Sequence, residues 1–409
     1  MTDAHVPSAA WAALGERGGI AVHSVEVRTL ELSFLNAVQT ARGVHRRRPV
    51  VLVRIFGTGR SGAVEGWGEC AALADDTYDT EDVSLAEATL VETLVPQLLR
   101  ACHEYGGLPA PIHLRDVLGR ERIRPLSFAA LEMAVADAHL RDAGQSLADL
   151  IGSGPGPLAA GAVVGKFDRP EALVERVDGL VDAGFTRVKL KVGPSADVGP
   201  VQIVRRRYPE LLLQADANES YAGSEEDVSL LKALDGFDLL CIEQPFPRAD
   251  LAAHARLAAR IDTPICLDES LTSPEVVVAA LAMEACSVVC VKPARLGGIG
   301  AALEVVDHCR ASGVPLWIGG MFETGFARQV NAAVASLSGF AWPGDLAPAS
   351  SYLAEDLVWR RGAAPTTVDQ VEPGQAEVFV PRVPGVGHPP DIASVERLTR
   401  RVVSLPLDR

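Results

Sequence analysis

The sequence lacks any pair of cysteines separated by two residues, and its seven cysteines are scattered between Cys70 and Cys309. Most of them lie within apolar runs. That pattern favours buried, reduced thiols over a disulfide framework, as in a protein of the cytoplasm. We therefore expect a cytoplasmic location and no disulfides.

Long hydrophobic runs are also missing, since the longest, VVVAALAM at 276–283, is far shorter than a membrane span. The N-terminus lacks the basic start and apolar stretch of a signal peptide. The net charge of −15 leaves no basic excess, which argues against nucleic acid or an anionic membrane as a partner. The local basic cluster HRRRP at 45–49 is interpreted as a solvated loop.

What the chain does contain fits a globular enzyme: 409 residues, 48% of them hydrophobic and 22% charged. Residues 20–152 predict an α+β domain, with an antiparallel meander followed by helices near 81–104 and 126–150. GTGRSG at 57–62 has the spacing of a dinucleotide fingerprint, but a strand-like stretch follows it, so we interpret it as a hairpin turn. GSGPGP at 152–157 predicts a domain junction.

Beyond this junction, short apolar runs that end in a polar residue alternate with helical stretches about every 25 residues. Seven such units, with an eighth strand expected at 340–345, favour a closed (β/α) barrel over an open sheet. We place this barrel at 158–350.

The predicted strand ends carry six charged residues, and active sites of such barrels lie at these ends. Convergent carboxylates need a neutralising cation, and oxygen ligands suit Mg²⁺. Two adjacent lysines near a metal would lower each other's pKa, so that one could act as a base. The alternative is a set of surface salt bridges at the barrel rim. The six residues are Lys189, Lys191, Asp216, Glu243, Asp268 and Lys292.

The motifs KLK, DAN, IEQP, LDES and VKPARLGG resemble those of the enolase superfamily, in its muconate-lactonizing subgroup. The stretch GGMFETGFARQVNAAVASLSGFAWPGD at 319–345 is similar to the branch of o-succinylbenzoate synthases and N-succinylamino acid racemases. The resemblance implies a modified TIM barrel of (β/α)7β type. Its capping domain would combine the N-terminal region with the C-terminal segment 351–409.

Carried over by motif, the resemblance implies that Asp216, Glu243 and Asp268 bind Mg²⁺, with Mn²⁺ as a possible substitute. Lys191 would be the base and Lys189 would tune it. Lys292 would be the opposing acid–base in racemisation, or a cation near the enediolate in dehydration. Because members of the family commonly form homo-oligomers, we expect one here.

The implied reaction removes a proton α to a carboxylate of a small molecule. It would be the syn dehydration of menaquinone biosynthesis, the racemisation of N-acylamino acids, or both. Two alternatives stay open: a cycloisomerase or racemase acting on a different acid in specialised metabolism, and an inactive barrel that serves as a binding protein.

Substrate contacts are expected around the barrel mouth, and three stretches there depart from the branch. Val163 replaces a small polar residue, the specificity loop at 34–49 is rich in arginine, and PGDLAPASSYL replaces a more polar continuation. Extra basic groups in that loop would suit a dicarboxylate or simply be exposed. The expected substrate contacts are Tyr78, Val163, Asn218, Gly320, Met321 and Glu323.

Overall fold

The computed structural model describes residues 6–14, 19–40, 43–119, 124–194, 198–358 and 376–407. All seven cysteines are free and buried, as the sequence predicts. In this described part of the chain, no helix is both long and apolar enough to cross a membrane.

The N-terminal region forms an antiparallel sheet with the strand order β13-β1-β2-β3. Strands β2 and β3 pair as a hairpin from Gly59 and Gly62 onward, which confirms that GTGRSG is a turn. The strands of this sheet are β1 (Ala21–Thr40), β2 (Gly43–Gly59), β3 (Gly62–Cys70) and β13 (Thr399–Pro406).

One face of the sheet is covered by helices, of which the central one, α5, is buried from Leu126 to Leu140. Two glycines of β3 allow this helix to come close. A Cβ at Gly66 would lie 2.1 Å from the carbonyl oxygen of Ala134, and one at Gly68 would lie 1.9 Å from that of Ala130. Other side chains there would push the helix off the sheet. The longer helices of this region are α2 (Val83–Thr89), α3 (Val95–Tyr105) and α5 (Pro125–Ala143); the shorter ones are α1 (Pro7–Ala12), α4 (Leu114–Val117) and α6 (Leu147–Ile151).

The second region contains a parallel sheet of seven strands, ordered β11-β10-β9-β8-β7-β6-β5. Helices separate successive strands, which confirms the alternation predicted from the sequence. The strands are β5 (Ala162–Val164), β6 (Arg187–Lys191), β7 (Leu212–Asp216), β8 (Ile242–Glu243), β9 (Ile265–Leu267), β10 (Val288–Val291) and β11 (Leu316–Ile318). The helices are α7 (Pro170–Asp182), α8 (Val198–Arg207), α9 (Glu225–Ala233), α10 (Leu251–Ala258), α11 (Pro274–Ala282), α12 (Pro293–Leu296), α13 (Ile299–Ser312) and α14 (Gly325–Ala335).

The eighth strand expected at 340–345 is not a regular strand. This segment makes isolated bridges instead, from Phe340 to Leu316 on one side and from Gly344 to Ala160 on the other. The nitrogen of Gly161 donates to the carbonyl of Gly344 at 2.6 Å. The segment thus joins β11 to the residues that precede β5, and it closes the barrel without a full ladder of strand hydrogen bonds.

The C-terminal segment returns to the first sheet, because β13 pairs with β1 after helix α15 (Ile392–Leu398). Strand β12 (Glu377–Phe379) pairs with β4 (Pro157–Ala159) at the junction. These pairings agree with a capping unit built from both ends of the chain, and the limits 20–152, 158–350 and 351–409 stay a prediction.

Candidate active site

Strand β6 directs three cationic side chains into the barrel. Because side chains alternate along a strand, Arg187, Lys189 and Lys191 share one face. Val188 and Leu190 on the other face join the hydrophobic core. The side chain of Lys189 is 4% exposed and that of Lys191 is 26% exposed, so Lys191 is the one that lies nearer the open mouth.

Lys189 is surrounded by carboxylates. Its Nζ lies 2.8 Å from Asp345 Oδ2, 3.1 Å from Glu243 Oε2 and 3.3 Å from Asp216 Oδ2. It also lies 4.7 Å from the ring centre of Trp317. Burial alone would lower the pKa of Lys189, but these carboxylates raise it well above its ordinary value. Pairing with these carboxylates favours the charged form of Lys189.

Lys191 contacts fewer groups. Its Nζ donates to Asp216 Oδ2 and to Asn218 Oδ1, each at 2.6 Å. Burial, the largest influence, and the neighbouring Lys189 lower the pKa of Lys191, but Asp216 together with Tyr78 and Glu243 raises it, and the net direction is upward. The ion pair with Asp216 has a larger effect on this pKa than the repulsion between the two lysines, and the lowered pKa that we expect beside a bound metal stays a prediction.

Lys292 follows strand β10 and pairs with a different carboxylate. Its Nζ lies 2.7 Å from Asp268 Oδ2. Burial lowers the pKa of Lys292, whereas Asp268 raises it, and the net direction is upward. The guanidinium of Arg295 bonds the other oxygen of Asp268. Lys191 and Lys292 are thus paired to carboxylates at the ends of β7 and β9, on either side of β8.

The three carboxylates follow three consecutive strands, β7, β8 and β9. Burial, followed by the charge of Asp216, raises the pKa of Glu243 to about 8. One oxygen each of Glu243 and Asp268 lies within 4.8 Å of the other and of Cys290 Sγ. Lys189 connects Asp216 to this group, because its ammonium contacts both Asp216 and Glu243.

These residues fit a bound divalent cation. Oxygen atoms of carboxylates are the ligands that Mg²⁺ prefers. Next to Asp268, Glu269 Oε2 is buried and makes no hydrogen bond. Burial and the charge of Asp268 raise the pKa of Glu269 to about 7. A cation would relieve this crowding of negative groups. The ligand roles of Asp216, Glu243 and Asp268 remain predictions.

Lysine is scarce in this chain, which makes its placement informative. The sequence holds five lysines among 38 basic residues, and three of the five are Lys189, Lys191 and Lys292. Arginine does not release its proton in proteins, whereas lysine can. Proton exchange at Lys191 and Lys292 stays a prediction.

The expected substrate contacts are divided in the structure. Asn218 lies in the site, where it accepts from Lys191 and donates to Glu269 Oε1 at 2.8 Å. Val163 is 43% exposed and pairs with Lys189 across β5 and β6. Tyr78 lines a cleft beside Phe322. All three positions suit contact with a substrate, and their roles stay predictions.

The other three expected contacts, Gly320, Met321 and Glu323, follow β11 and contact neighbouring protein groups in this structure. Met321 joins the core of the capping region, and Glu323 Oε1 accepts from Asn331 Nδ2 at 2.9 Å. A Cβ at Gly320 would lie 3.1 Å from the carbonyl oxygen of Asp345. Contact of these three residues with a substrate stays a prediction.

The specificity loop predicted at 34–49 is the outer end of the β1–β2 hairpin, where Val38 pairs with His45. Residues 41 and 42 lie outside the described residues. Arg46 and Arg47 are exposed, as expected for a solvated segment. Arg48 is not, because it is 1% exposed and donates to the carbonyls of Phe322 at 3.0 Å and Ala72 at 2.6 Å. The interpretation of the basic cluster as solvated is wrong at this residue.

Sequence reasoning missed a set of supporting residues inside the barrel. Arg187 Nη1 lies 2.9 Å from Asp345 Oδ1, and Arg187 also donates to Gln214 Oε1. Gln214 in turn donates to Glu243 Oε2 at 2.6 Å. The signal was present in the strand periodicity, since Arg187 and Gln214 each precede a site residue by two positions. Asp345 also had a signal, since it is the last residue of the eighth strand expected at 340–345.

Comparison with known proteins agrees with this geometry. Residues 172–394 match the family described as Enolase C-terminal domain-like. Residues 24–152 match the Mandelate racemase / muconate lactonizing enzyme, N-terminal domain.

Individual relatives match over most of their length. The chain is 39% identical over 334 residues to an N-succinylamino acid racemase of Amycolatopsis, covering 81% of this chain and 88% of the relative. It is 34% identical over 385 residues to an o-succinylbenzoate synthase of Geobacillus stearothermophilus, covering 93% and 96%. The crystal structure of an enolase superfamily member from Listeria innocua superposes with a TM-score of 0.85 at 31% identity, covering 95% of this chain and all of that one. The chain is therefore an enzyme of the enolase superfamily, in the branch of o-succinylbenzoate synthases and N-succinylamino acid racemases.

Proposed function

We propose that this enzyme removes the proton α to the carboxylate of a small molecule, as an o-succinylbenzoate synthase, an N-acylamino acid racemase, or both. The observation that carries the proposal is the placement of Lys191 and Lys292. Each is paired to one carboxylate of the same cluster, from strands on either side of β8. Two relatives named for these two activities, each at least 34% identical, support the same conclusion.

Asp216, Glu243 and Asp268 would hold Mg²⁺, or Mn²⁺ in its place. When bound, this cation would offset the negative charge that develops on the substrate's carboxylate as the α-proton leaves. It would also compete for the oxygen of Asp216 that now accepts from Lys191. Without that ion pair the pKa of Lys191 would fall, and Lys191 would release its own proton to solvent and so become able to take the α-proton.

The lysines have distinct tasks in this proposal. Lys191 takes the α-proton on one face, and Lys189, held by Asp345, remains charged beside it. In a racemase, Lys292 returns a proton on the opposite face. In a syn dehydration, Lys191 returns its proton to the leaving hydroxyl, and Lys292 acts as a stationary cation beside the enediolate. Proton transfer by such a group contributes about 10²–10⁴-fold to the rate.

The test is exchange of the α-proton with deuterated solvent, followed by NMR in the presence of Mg²⁺. N-succinylamino acids serve as the first substrates, and the dehydration that yields o-succinylbenzoate is assayed separately. Lys191→Ala should reduce dehydration by at least 10²-fold. Lys232→Ala, which changes an exposed lysine on α9, is the matched control and should match the wild type. Dehydration by Lys191→Ala at the rate of the wild type would contradict the proposal.

The second enzymatic candidate, a cycloisomerase or racemase acting on another acid, would use the same lysines. It is favoured only if the wild type binds Mg²⁺ but transforms neither substrate class. Calorimetry that shows no Mg²⁺ binding would instead favour an inactive barrel that serves as a binding protein.

A further inference from the structure

A thiol lies beside the carboxylates at the centre of the barrel. Cys290 is on strand β10, two residues before Lys292, so both side chains point into the barrel. Cys290 is 2% exposed. Its Sγ, one oxygen of Glu243 and one oxygen of Asp268 all lie within 4.8 Å of one another, and all three side chains are buried.

This donor set differs from one made of carboxylates alone. Mg²⁺ takes oxygen ligands and is poorly matched to sulfur. Zn²⁺, Cd²⁺ and Co²⁺ accept thiolate together with carboxylate. Zinc bonds of about 2.0–2.3 Å place neighbouring donors within about 4 Å of one another. Donor atoms within 4.8 Å can therefore reach this geometry through side-chain movements of about 1 Å.

The other thiols inside the barrel are placed differently. All three thiols, Cys241, Cys266 and Cys290, belong to one apolar cluster with Val288 and Trp317. The indole nitrogen of Trp317 donates to Cys266 Sγ at 3.2 Å. Neither Cys241 nor Cys266 belongs to the group that contains Glu243 and Asp268. Within the described residues, Cys290 is the thiol that joins these carboxylates.

We propose that Glu243, Asp268 and Cys290 form a second binding mode of the metal centre, one that accepts soft divalent cations such as Zn²⁺ and Cd²⁺. On binding, the thiol releases its proton to the buffer, and the sulfur donates a lone pair to the metal with no change of oxidation state. The metal also displaces Lys292 Nζ from Asp268 Oδ2, where it now lies at 2.7 Å. A soft cation bound in this way would inhibit the enzyme, because it would occupy carboxylates that are needed for Mg²⁺. This inhibition rests on the proposed function.

The test uses the metal-free full-length protein titrated with Co²⁺ and followed by absorption spectroscopy. Sulfur bound to Co²⁺ gives an intense charge-transfer band in the near ultraviolet, which oxygen ligands do not give. We expect this band to saturate at one equivalent in the wild type and to be absent in Cys290→Ser. Cys309→Ser, which changes a buried thiol of α13 in the outer core, is the matched control and should keep the band.

A second measurement does not depend on the folding of any variant. X-ray absorption spectroscopy of the wild type loaded with one equivalent of Zn²⁺ should show one sulfur atom in the first coordination shell. A shell of only oxygen and nitrogen atoms would overturn the inference, as would a charge-transfer band that persists in Cys290→Ser.

Failure of this inference can be told apart from failure of the proposed function. Mg²⁺ binding and α-proton exchange are measured on the same wild-type preparation. If both are present and sulfur coordination is absent, only the second binding mode is excluded. If sulfur coordination is present and exchange is absent, the proposed function fails alone.

Discussion

The ammonium group of Lys189 lies 2.8 Å from Asp345 Oδ2, and the guanidinium of Arg187 lies 2.9 Å from Oδ1 of the same carboxylate. One acidic residue therefore holds two cations of strand β6 in place. Arg187 and Asp345 are 158 residues apart in the chain. This contact favours the charged form of Lys189 and joins β6 to the segment that closes the barrel.

Removing the charge of Asp345 should destabilise the protein. Asp345→Asn leaves Arg187 and Lys189 with less compensation inside the barrel, and breaking a buried ion pair costs about 3–5 kcal/mol. The measurement is urea unfolding of the metal-free protein. Asp178→Asn, which breaks an exposed pair with Arg207, is the control and should cost at most about 1 kcal/mol. Equal losses in the two variants would contradict the structural role of Asp345.

Arg48 should stabilise the contact between the β1–β2 hairpin and the barrel. Its buried guanidinium donates to the carbonyls of Phe322 and Ala72, and leaving buried acceptors unpaired costs about 1–3 kcal/mol for each. Arg48→Met should therefore lower the free energy of unfolding by a few kcal/mol. The neighbouring Arg47→Met, whose side chain is 61% exposed, is the control. If both substitutions cost the same, Arg48 does not hold the hairpin in place.

The stability of the protein should depend on pH through Glu132. Burial raises the pKa of this carboxyl to about 7 from 4.5, although it accepts from the backbone nitrogens of Ile299 and Gly300. Because the folded state holds the proton of Glu132 more tightly than the unfolded state does, protonation of Glu132 stabilises the fold. This contribution to the free energy of unfolding is complete below pH 4.5 and is lost as the pH rises through 7.

The unfolding free energy of the wild type, relative to Glu132→Gln, should therefore fall between pH 5 and pH 8, by on the order of 3 kcal/mol. Chemical unfolding at a series of pH values measures this difference. Glu210→Gln, at an exposed turn, is the control and should show little change across the range. A difference in unfolding free energy that rises with pH would contradict a raised pKa of Glu132 in the folded state.

Lys292→Arg should separate the two reactions. Arginine keeps the positive charge beside Asp268 but does not give up a proton. Racemisation should fall by at least about 10²-fold, because it needs proton transfer at this position. Dehydration, which needs only the cation, should be affected much less. Both rates are measured on one preparation, with Lys232→Arg as the control, and equal losses would contradict the separate roles.

The sequence predicted the parts of this structure that follow from local pattern. Alternation along β6 correctly placed Lys189 and Lys191 on one face, and the repeated strand–helix rhythm predicted the barrel. Strand ends then identified Asp216 and Glu243 as neighbours of these lysines and Asp268 as a neighbour of Lys292. In each case, the arrangement follows from a period of two along a strand or from the order of parallel strands.

The failures concern contacts between distant segments. The end of the predicted eighth strand places Asp345 at the barrel mouth but does not specify Arg187 and Lys189 as its partners. Nothing in the basic cluster distinguishes the buried Arg48 from the exposed Arg47 beside it. The 2.6 Å contact between Lys191 and Asp216, which raises the pKa of Lys191 in this arrangement, is likewise not specified by a strand pattern. The same holds for the closing segment at 340–345, whose bridges to Leu316 and Ala160 replace a regular strand.

The most direct measurement is the exchange of the α-proton with deuterated solvent for each enantiomer of one N-succinylamino acid, in Lys191→Ala and in Lys292→Ala. If the two lysines act on opposite faces, each variant keeps exchange for one enantiomer and loses it for the other, and the two variants show opposite preferences. Loss of the same enantiomer in both variants, or undiminished exchange of both enantiomers in either one, would contradict two opposed lysines.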